Sequence, residues 1–245
     1  MVSFVLDYDR EAARYDETRG GKPRGAAAAA AIGELLPAGA TSLLDVACGT
    51  GIVTGHITRP GLTVFGTDLS GGMARYAATR LGGRVLLADC LALPVATGRL
   101  DAVTAIWLLH LIDDVPAMMA EAARVLRPGG TLIVTVDKDA SHNAGVIGEL
   151  MLPYRRKVAS DDFAAVGDCG ARLGLDYAGE TAFIGRGQGR TPSKVAAAVR
   201  GGDFGSALTL HEGDARALAA SLEALPAPDE AGPDPTFRLI ALRKV

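Results

Sequence analysis

The chain has 245 residues, of which 49% are hydrophobic and 22% are charged, and its formal net charge at pH 7 is -3. This balance predicts a packed α/β protein with either one elaborated domain or two small ones. Proteins that grip the phosphates of nucleic acids usually carry a basic excess, so the slight acidic excess disfavours a polynucleotide substrate.

The termini and the cysteines bear on location and on metal binding. The first ten residues lack the basic start and apolar run of a signal peptide, and no uninterrupted apolar stretch is long enough to span a membrane. Cys48, Cys90 and Cys169 are scattered, which predicts neither a disulfide framework nor a metal site. We expect a cytoplasmic protein without a bound metal, and the oligomeric state stays open between monomer and homodimer.

Apolar runs alternate with helical patterns through the middle of the chain. Strands are predicted at 41–46, 62–67, 84–88, 102–107 and 131–136, and helices at 26–36, 73–81 and 115–126. Continuously apolar strands separated by helices favour a parallel sheet covered on both faces, which is a doubly wound, Rossmann-like α/β fold. Arg127–Gly130 (RPGG) predicts a stop and turn after the last of these helices.

Outside this core the pattern is weaker. The region 138–177 is mainly helical in pattern, 181–186 and 237–242 are candidates for the last two strands, and 224–236 is typical of an exposed loop. We therefore expect an N-terminal helical segment at 1–40, an α/β core at 41–137, and a region of helices with the last two strands at 138–245.

The densest motif is Asp45–Gly51 (DVACGTG), where a strand enters a glycine-rich turn. Glycines allow the backbone to approach a ligand closely, and the helix that follows offers free N–H groups. The dinucleotide fingerprint GxGxxG is not met, because Thr54 stands where the third glycine would fall. Asp45 would repel a pyrophosphate, so the motif favours a ligand with a cationic group. The alternative is a tight structural turn.

Acidic residues also follow the next two strands. Asp68 ends the second strand, where a carboxylate can accept both ribose hydroxyls of an adenosine, although Asp-Leu-Ser is also a good helix cap. Leu69 and Met73 could pack against an adenine or belong to the core. Asp89 could accept an adenine amino group or simply belong to a turn.

Four motifs occur in order: DVACGTG, TDLS, ADCLALP, and EAARVLRPGG followed by TLIVTV. This series resembles the class I S-adenosyl-L-methionine (SAM)-dependent methyltransferases, and in particular the methyltransferase type 11 family, which includes the ubiquinone and menaquinone C-methyltransferases and many small-molecule methyltransferases. The resemblance covers about residues 41–137 and extends weakly to the YDETRG segment that begins at Tyr15. Ala47 departs from the family, which often has a glycine there.

The resemblance implies a seven-stranded, mostly parallel sheet with an antiparallel last strand. It implies that 1–40 covers the cofactor, that 41–137 is the SAM-binding core, and that the helices of 138–245 shape the acceptor site. It implies that Asp45 lies near the ammonium of SAM, that Asp68 binds the ribose, and that Asp89 reads the adenine. Tyr15 and Arg19 would cover the cofactor and meet its carboxylate. The residues predicted at the cofactor are Tyr15, Arg19, Asp45, Ala47, Cys48, Gly49, Gly51, Asp68, Leu69, Met73, Asp89, Cys90, Leu91 and Trp107.

The predicted reaction moves a methyl group from SAM to a small molecule by O-, N- or C-methylation and releases S-adenosyl-L-homocysteine (SAH). His110 and His142 follow the fourth and fifth strands and are the candidate bases, although His110 could be a core histidine and alignment alone could suffice. The cluster at Tyr154–Arg156 could meet an anionic or aromatic acceptor or form a solvated helix face. No (N/D)PPY motif of base-methylating enzymes follows the fourth strand.

Two other functions compete with methyl transfer. A dehydrogenase on a related fold is disfavoured by the broken GxGxxG and by EAARVLRPGG. A SAM-binding protein that does not methylate, acting as a cyclase or a regulatory partner, is compatible with the same motifs.

Overall fold

The computed structural model describes residues 7–142, 145–155, 159–202, 204 and 208–245, with His142 described by its backbone alone. Arg156 of the predicted aromatic and basic cluster lies outside the described residues. Seven strands of the described chain form one sheet: β1 (Ser42–Val46), β2 (Thr63–Asp68), β3 (Val85–Leu87), β4 (Leu100–Ala105), β5 (Leu126–Val136), β6 (Leu175–Ile184) and β7 (Thr236–Lys244).

The strand order in the sheet is β3-β2-β1-β4-β5-β7-β6. Strands β1 to β5 pair in parallel, whereas β7 runs antiparallel to both β5 and β6. The predicted doubly wound, Rossmann-like sheet with an antiparallel last strand is therefore confirmed. The order reverses at β1, where the chain crosses to β4, and ligands bind at such a switch point in open α/β sheets.

The helices are α1 (Tyr8–Glu11), α2 (Tyr15–Thr18), α3 (Gly21–Leu35), α4 (Gly71–Leu81), α5 (Val115–Val125), α6 (Gly145–Met151), α7 (Phe163–Arg172), α8 (Pro192–Gly201) and α9 (Glu212–Glu223). Ser70 caps α4 by accepting from the Met73 amide at 3.1 Å, and Asp114 caps α5 by accepting from Ala117 at 2.9 Å. Within the described ranges, none of these helices has the length and apolar character needed to cross a bilayer.

Two hydrophobic cores cover the two faces of the sheet. Leu43, Ala102 and Ile133 pack with α3 on one face. The residues next to them in sequence, Leu44 and Val103, pack with α5 and α7 on the other face. Successive side chains of a strand point to opposite faces, and here both faces are covered. This explains why the central strands are continuously apolar in sequence.

The RPGG segment corrects one predicted boundary. Helix α5 ends at Val125, and Arg127–Gly130 lies within β5 instead of preceding it. The pairing with β4 jumps from Leu100–Leu126 to Ala102–Thr131, so the extra residues form an irregular bulge with Gly129 at φ 78°. The turn chemistry was recognised, but a bulge can hold such residues inside a strand.

The carboxyl-terminal half differs most from the prediction. Strand β6 begins at Leu175 and is therefore longer than the predicted 181–186. The sequence analysis did not predict α8 and α9, which pack with α6 around a separate small core that includes Val195, Leu208 and Leu218. Because β6 and β7 complete the main sheet, the expected acceptor region is built on the same sheet as the cofactor-binding core.

Candidate functional site

The carboxyl ends of the central parallel strands hold strained backbone. Ala47 follows β1, Trp107 follows β4 by two residues, and Asp137 follows β5, and their φ angles are 55°, 55° and 51°. A left-handed conformation costs a residue with a β-carbon roughly 1–2 kcal/mol. Such strain collects at binding and active sites, so this edge of the sheet is the candidate site.

The turn after β1 is the centre of this edge. Gly49 and Gly51 have φ angles of 58° and 73°, and a β-carbon on Gly51 would lie 3.0 Å from Ala77 Cα in α4. The left-handed angle of Ala47 also explains why a glycine often stands at this position in similar proteins. The turn therefore brings bare backbone to the cleft, as the sequence predicted.

Asp68 ties the turn to the end of β2. Its carboxylate accepts from the Gly49 amide at 2.7 Å through Oδ2 and from the Ser70 amide at 2.9 Å through Oδ1. Burial nevertheless raises the pKa of this carboxyl above its ordinary value. Each oxygen keeps a further lone pair, so the group can still accept the two hydroxyls of a ribose.

Asp45 lies beneath the turn and not in the open cleft. Its side chain is 3% exposed, and its two oxygens accept from Thr54 Oγ1 and, at 2.7 Å, from Thr104 Oγ1. Burial raises its pKa to about 6, and the nearby Asp68 adds to this effect. The geometry does not favour direct contact with a ligand ammonium.

The predicted adenine-binding residues lie beside Asp68. Asp89 is exposed and accepts from the Leu91 amide at 2.9 Å, which matches the turn interpretation. Burial raises the pKa of the Cys90 thiol, with Asp89 and Asp68 contributing, so these three side chains are close together. The cleft thus extends from β1 past β2 to the chain after β3.

Leu69 and Met73 have opposite environments. Leu69 is 71% exposed at the end of β2, whereas Met73 is 1% exposed inside the first turns of α4. An exposed leucine at this place can cover the face of a bound ring. Met73 belongs to the core, which favours the second of the two interpretations given for it.

The N-terminal segment is hydrogen-bonded to the turn after β1 and to the start of α4. Asp9 accepts from Ser70 Oγ at 2.7 Å and from the Gly72 amide at 2.5 Å, at the start of α4. Asp16 accepts from Thr50 Oγ1 at 2.6 Å and forms an ion pair with Arg80 at 2.5 Å. Both carboxylates directly follow a tyrosine in the sequence, as Tyr8-Asp9 and Tyr15-Asp16, but the sequence analysis gave them no role.

Arg24 is the site residue that the sequence analysis missed. It is 4% exposed, its guanidinium carbon lies 4.2 Å from the Trp107 ring centroid, and its Nε has no hydrogen-bond partner among the described residues. Tyr15 also faces it, with the ring centroid at 5.9 Å. Arg19 is exposed and lies 5.9 Å from the other side of Tyr15, so Arg24 is the more deeply placed cation.

Trp107 closes the cleft between the sheet and the N-terminal segment. Its ring packs edge-on against Phe183 and Phe237, with centroids 5.6 and 5.3 Å apart, and its amide donates to Thr135 Oγ1 at 3.2 Å. The indole Nε1 is buried and has no partner in the described part of the chain. An indole N–H usually finds a partner when buried, so a ligand atom could supply it.

The two candidate bases are placed differently. His110 lies in a short 3-10 turn, Leu109–Leu111, after β4, where burial and the neighbouring Lys138 lower its pKa to about 3. A neutral imidazole with so low a pKa is a weak proton acceptor. His142 belongs to the turn Ala140–His142 after β5, and its side chain lies outside the described part of the structure. Its role as a base stays a prediction.

A parallel sheet with a bare-backbone turn at the switch point and acidic strand ends defines a Rossmann-like protein that binds an adenosine-containing ligand. Residues 44–134 match the family model described as "Methyltransferase domain". The predicted resemblance to class I SAM-dependent methyltransferases is therefore confirmed over this stretch. SAM is the cofactor of that class, as the sequence analysis expected.

Known relatives in sequence match part of the chain, whereas solved structures with a similar fold match nearly all of it. A demethylmenaquinone methyltransferase of Thermobifida fusca is 40% identical over 98 residues, which are 38% of this chain and 42% of that protein. The solved structure of the [4+2]-cyclase SpnF is similar with a TM-score of 0.61 at 19% identity, covering 97% of this chain and 94% of that chain. A SAM-dependent methyltransferase of Thermotoga maritima has a TM-score of 0.57 at 18% identity, with coverage of 97% and 98%.

These likenesses differ in what they establish. At identities below one fifth, the two structural similarities establish the fold alone. The sequence similarity agrees with the match to the family model, but the chain spans less than half the length of the first curated relatives that it matches. The acceptor therefore has to be argued from the site.

Proposed function

We propose that the protein transfers the methyl group of SAM to a small-molecule acceptor and releases SAH. The observation that carries this proposal is a set of buried charges at one edge of the sheet, none of which forms an ion pair within the described residues. Asp45 and Asp68 are carboxylates whose pKa values burial raises, and Arg24 is a buried guanidinium whose pKa burial lowers. Burying charge without a partner is costly, so the cleft favours a ligand that carries both signs.

SAM has the matching charges, namely a sulfonium and an ammonium that are positive and a carboxylate that is negative. In the proposed arrangement, Asp68 accepts the ribose hydroxyls through its remaining lone pairs, and the field of Asp45 favours the cationic centres. Arg24, supported by Tyr15, binds the carboxylate in place of the predicted Arg19. Leu69 and the chain from Asp89 to Leu91 surround the adenine.

SAM supplies an activated methyl group on its sulfur, so the protein chiefly has to align an acceptor and exclude water. Alignment of two reactants lowers the barrier by roughly 7–11 kcal/mol in favourable systems. The low pKa of His110 supports a mechanism in which alignment does more than proton abstraction. The N-terminal segment, fastened through Asp9 and Asp16, would close the cofactor side against water.

The acceptor would enter from the side formed by residues 138–142, 145–155, 159–202 and 208–223. His110, Lys138 and Asp139 follow β4 and β5 at this side of the cleft. The acidic net charge and the missing base-methylation motif support a small molecule over a polynucleotide. Whether oxygen, nitrogen or carbon is methylated depends on the acceptor.

The proposal is tested in two steps with the full chain. Calorimetric titration with SAM and SAH should show binding, whereas NADH should not bind. Tight NADH binding without SAM binding would contradict the proposal and favour the competing dehydrogenase function. Isotope-labelled SAM is then incubated with a panel of small organic acceptors, and methylated products are detected by mass spectrometry.

The second step also separates methyl transfer from the competing function. A SAM-binding cyclase or regulatory protein would bind SAM normally but transfer no label to any acceptor of the panel. Transfer to one acceptor, abolished when SAM is replaced by SAH, would establish the methyltransferase.

A further inference from the structure

The acceptor side of the cleft contains a cluster of cations. Lys138 and Asp139 follow β5, Arg155 follows α6, and Arg190 follows β6. Arg155 donates to the Asp139 carbonyl at 2.6 Å, and Lys138 Nζ lies 3.2 Å from Asp139 Oδ1. All four side chains are partly buried, so their charges are only partly solvated.

Positive charge in this cluster exceeds the negative charge available to pair with it. Asp139 forms its ion pair with Lys138, and neither Arg155 nor Arg190 forms an ion pair with a carboxylate of the described chain. The Nε of Arg155 is buried and has no partner among the described residues. Asp161 is also buried and accepts from the Lys138 amide at 2.8 Å, and its other oxygen has no partner among the described residues, so three cations stand against the two carboxylates of Asp139 and Asp161.

The electrostatics agree with this imbalance. Burial lowers the pKa of both arginines, and the carboxylate of Asp139 partly offsets this lowering in each case. The nearby cations Arg19, from the N-terminal segment, and Arg155 lower the pKa of Arg190 further. An added anion would relieve this repulsion and would meet donors that are already in place.

The small core of α6, α8 and α9 positions both guanidinium groups. Arg155 forms an isolated antiparallel bridge with Leu208, a member of that core. Arg190 immediately precedes Thr191, whose side chain caps α8, and its guanidinium carbon lies 5.2 Å from the Phe204 ring centroid. A guanidinium stacked on a ring keeps its N–H edge free for a planar or tetrahedral oxyanion.

We propose that the acceptor carries an oxyanion, either a carboxylate or a phosphate, and that Arg155 and Arg190 bind this group while Lys138 and Asp139 border it. The inference rests on the proposed function, because it places the anion beside the cofactor cleft. It gives the otherwise unexplained α8 and α9 a purpose, which is to hold two cations at the strand ends.

The test uses simple probes with the full chain, at low ionic strength and with saturating SAH. Sodium benzoate, inorganic phosphate and the neutral benzamide are titrated separately by calorimetry. Benzoate or phosphate should bind, and benzamide should bind at least about tenfold more weakly than benzoate, since a charged hydrogen-bonded pair contributes about that much. The anion that binds more tightly shows whether the acceptor carries a carboxylate or a phosphate.

Variants locate the site. Arg190→Gln and Arg155→Gln should each weaken anion binding at least about tenfold, whereas the exposed Arg172→Gln should leave it unchanged. Arg190→Lys, which keeps the charge but loses the planar fork, should retain part of the affinity and serves if a glutamine variant folds poorly. Thermal unfolding of each variant checks its fold.

The outcomes separate this inference from the proposed function. Binding of SAH without either anion, equal binding of benzoate and benzamide, or an equal effect of Arg172→Gln would overturn the oxyanion site and leave the methyltransferase proposal standing. Binding of an anion at Arg155 and Arg190 without any binding of SAM or SAH would support the oxyanion site and overturn the methyltransferase proposal.

Discussion

The two sides of the cleft are charged in opposite ways and are built differently. The cofactor side presents Asp45 and Asp68 beside bare backbone, and its parts are fixed by hydrogen bonds to those carboxylates. The acceptor side presents Arg155 and Arg190, which a separate small core of helices holds in place. In the two proposals, the first side binds a ligand with cationic centres and the second binds an anion, so we expect that each can be altered separately.

The largest effect that tests this separation is expected at the end of β2. Asp68→Ala removes a charged acceptor that also orders the Gly49 amide, so SAH binding should weaken about 10- to 100-fold, or roughly 1.5–3 kcal/mol. Calorimetry measures the change, and the exposed Asp168→Ala is the control. Anion binding on the acceptor side should stay the same. An unchanged SAH affinity would falsify the ribose assignment of Asp68.

Arg24→Met should separate ligand binding from stability. Removing the buried guanidinium deletes the proposed carboxylate partner, so SAH should bind about tenfold more weakly or worse. The free energy of unfolding without ligand should be unchanged or higher, because an apolar chain of similar length replaces a poorly paired buried charge. Urea unfolding and calorimetry give the two quantities. Arg19→Met is the comparison, and a larger loss of SAH affinity in that variant would show that Arg19, and not Arg24, binds the carboxylate of the cofactor.

His110 should make the stability of the protein depend on pH. Its pKa is about 3 in the folded chain and about 6.5 in an unfolded one, so between these values the unfolded chain binds a proton that the folded chain does not. The free energy of unfolding should therefore fall as the pH drops from about 6.5 towards 3. His110→Gln should reduce this loss, as measured by urea unfolding at pH 7, 5.5 and 4. An identical pH dependence in both proteins would contradict the buried neutral histidine.

The smallest effect is expected at the strained turn. Ala47→Gly relieves a left-handed angle of 55° but adds flexibility to the unfolded chain, so the net gain in stability should be below about 1 kcal/mol. SAH affinity should be retained, since the backbone amides stay in place. Thermal unfolding measures the gain, and a clear loss of stability would show that the methyl group of Ala47 packs usefully.

Much of the cofactor side was predictable from the sequence because its determinants are local. A continuously apolar strand, a small-residue turn and an acidic strand end are adjacent along the chain, as in Asp45–Gly51 and at Asp68. Parallel strands then bring such ends to one edge without further information. The exception was Asp45, whose burial beneath the turn depends on Thr104, a residue of β4 that is distant in sequence.

The tertiary structure alone decided the rest. Arg24 lies in an alanine-rich helical run, and nothing near it in sequence indicates that its guanidinium packs against Trp107. Arg155 and Arg190 are 35 positions apart, and they meet only because α6, α8 and α9 share a core. The sequence by itself therefore determined the central strands, the order of the motifs along the chain and the class of cofactor, since these follow from local periodicity and spacing. The positions of isolated charges depend on long-range packing, which local patterns do not encode.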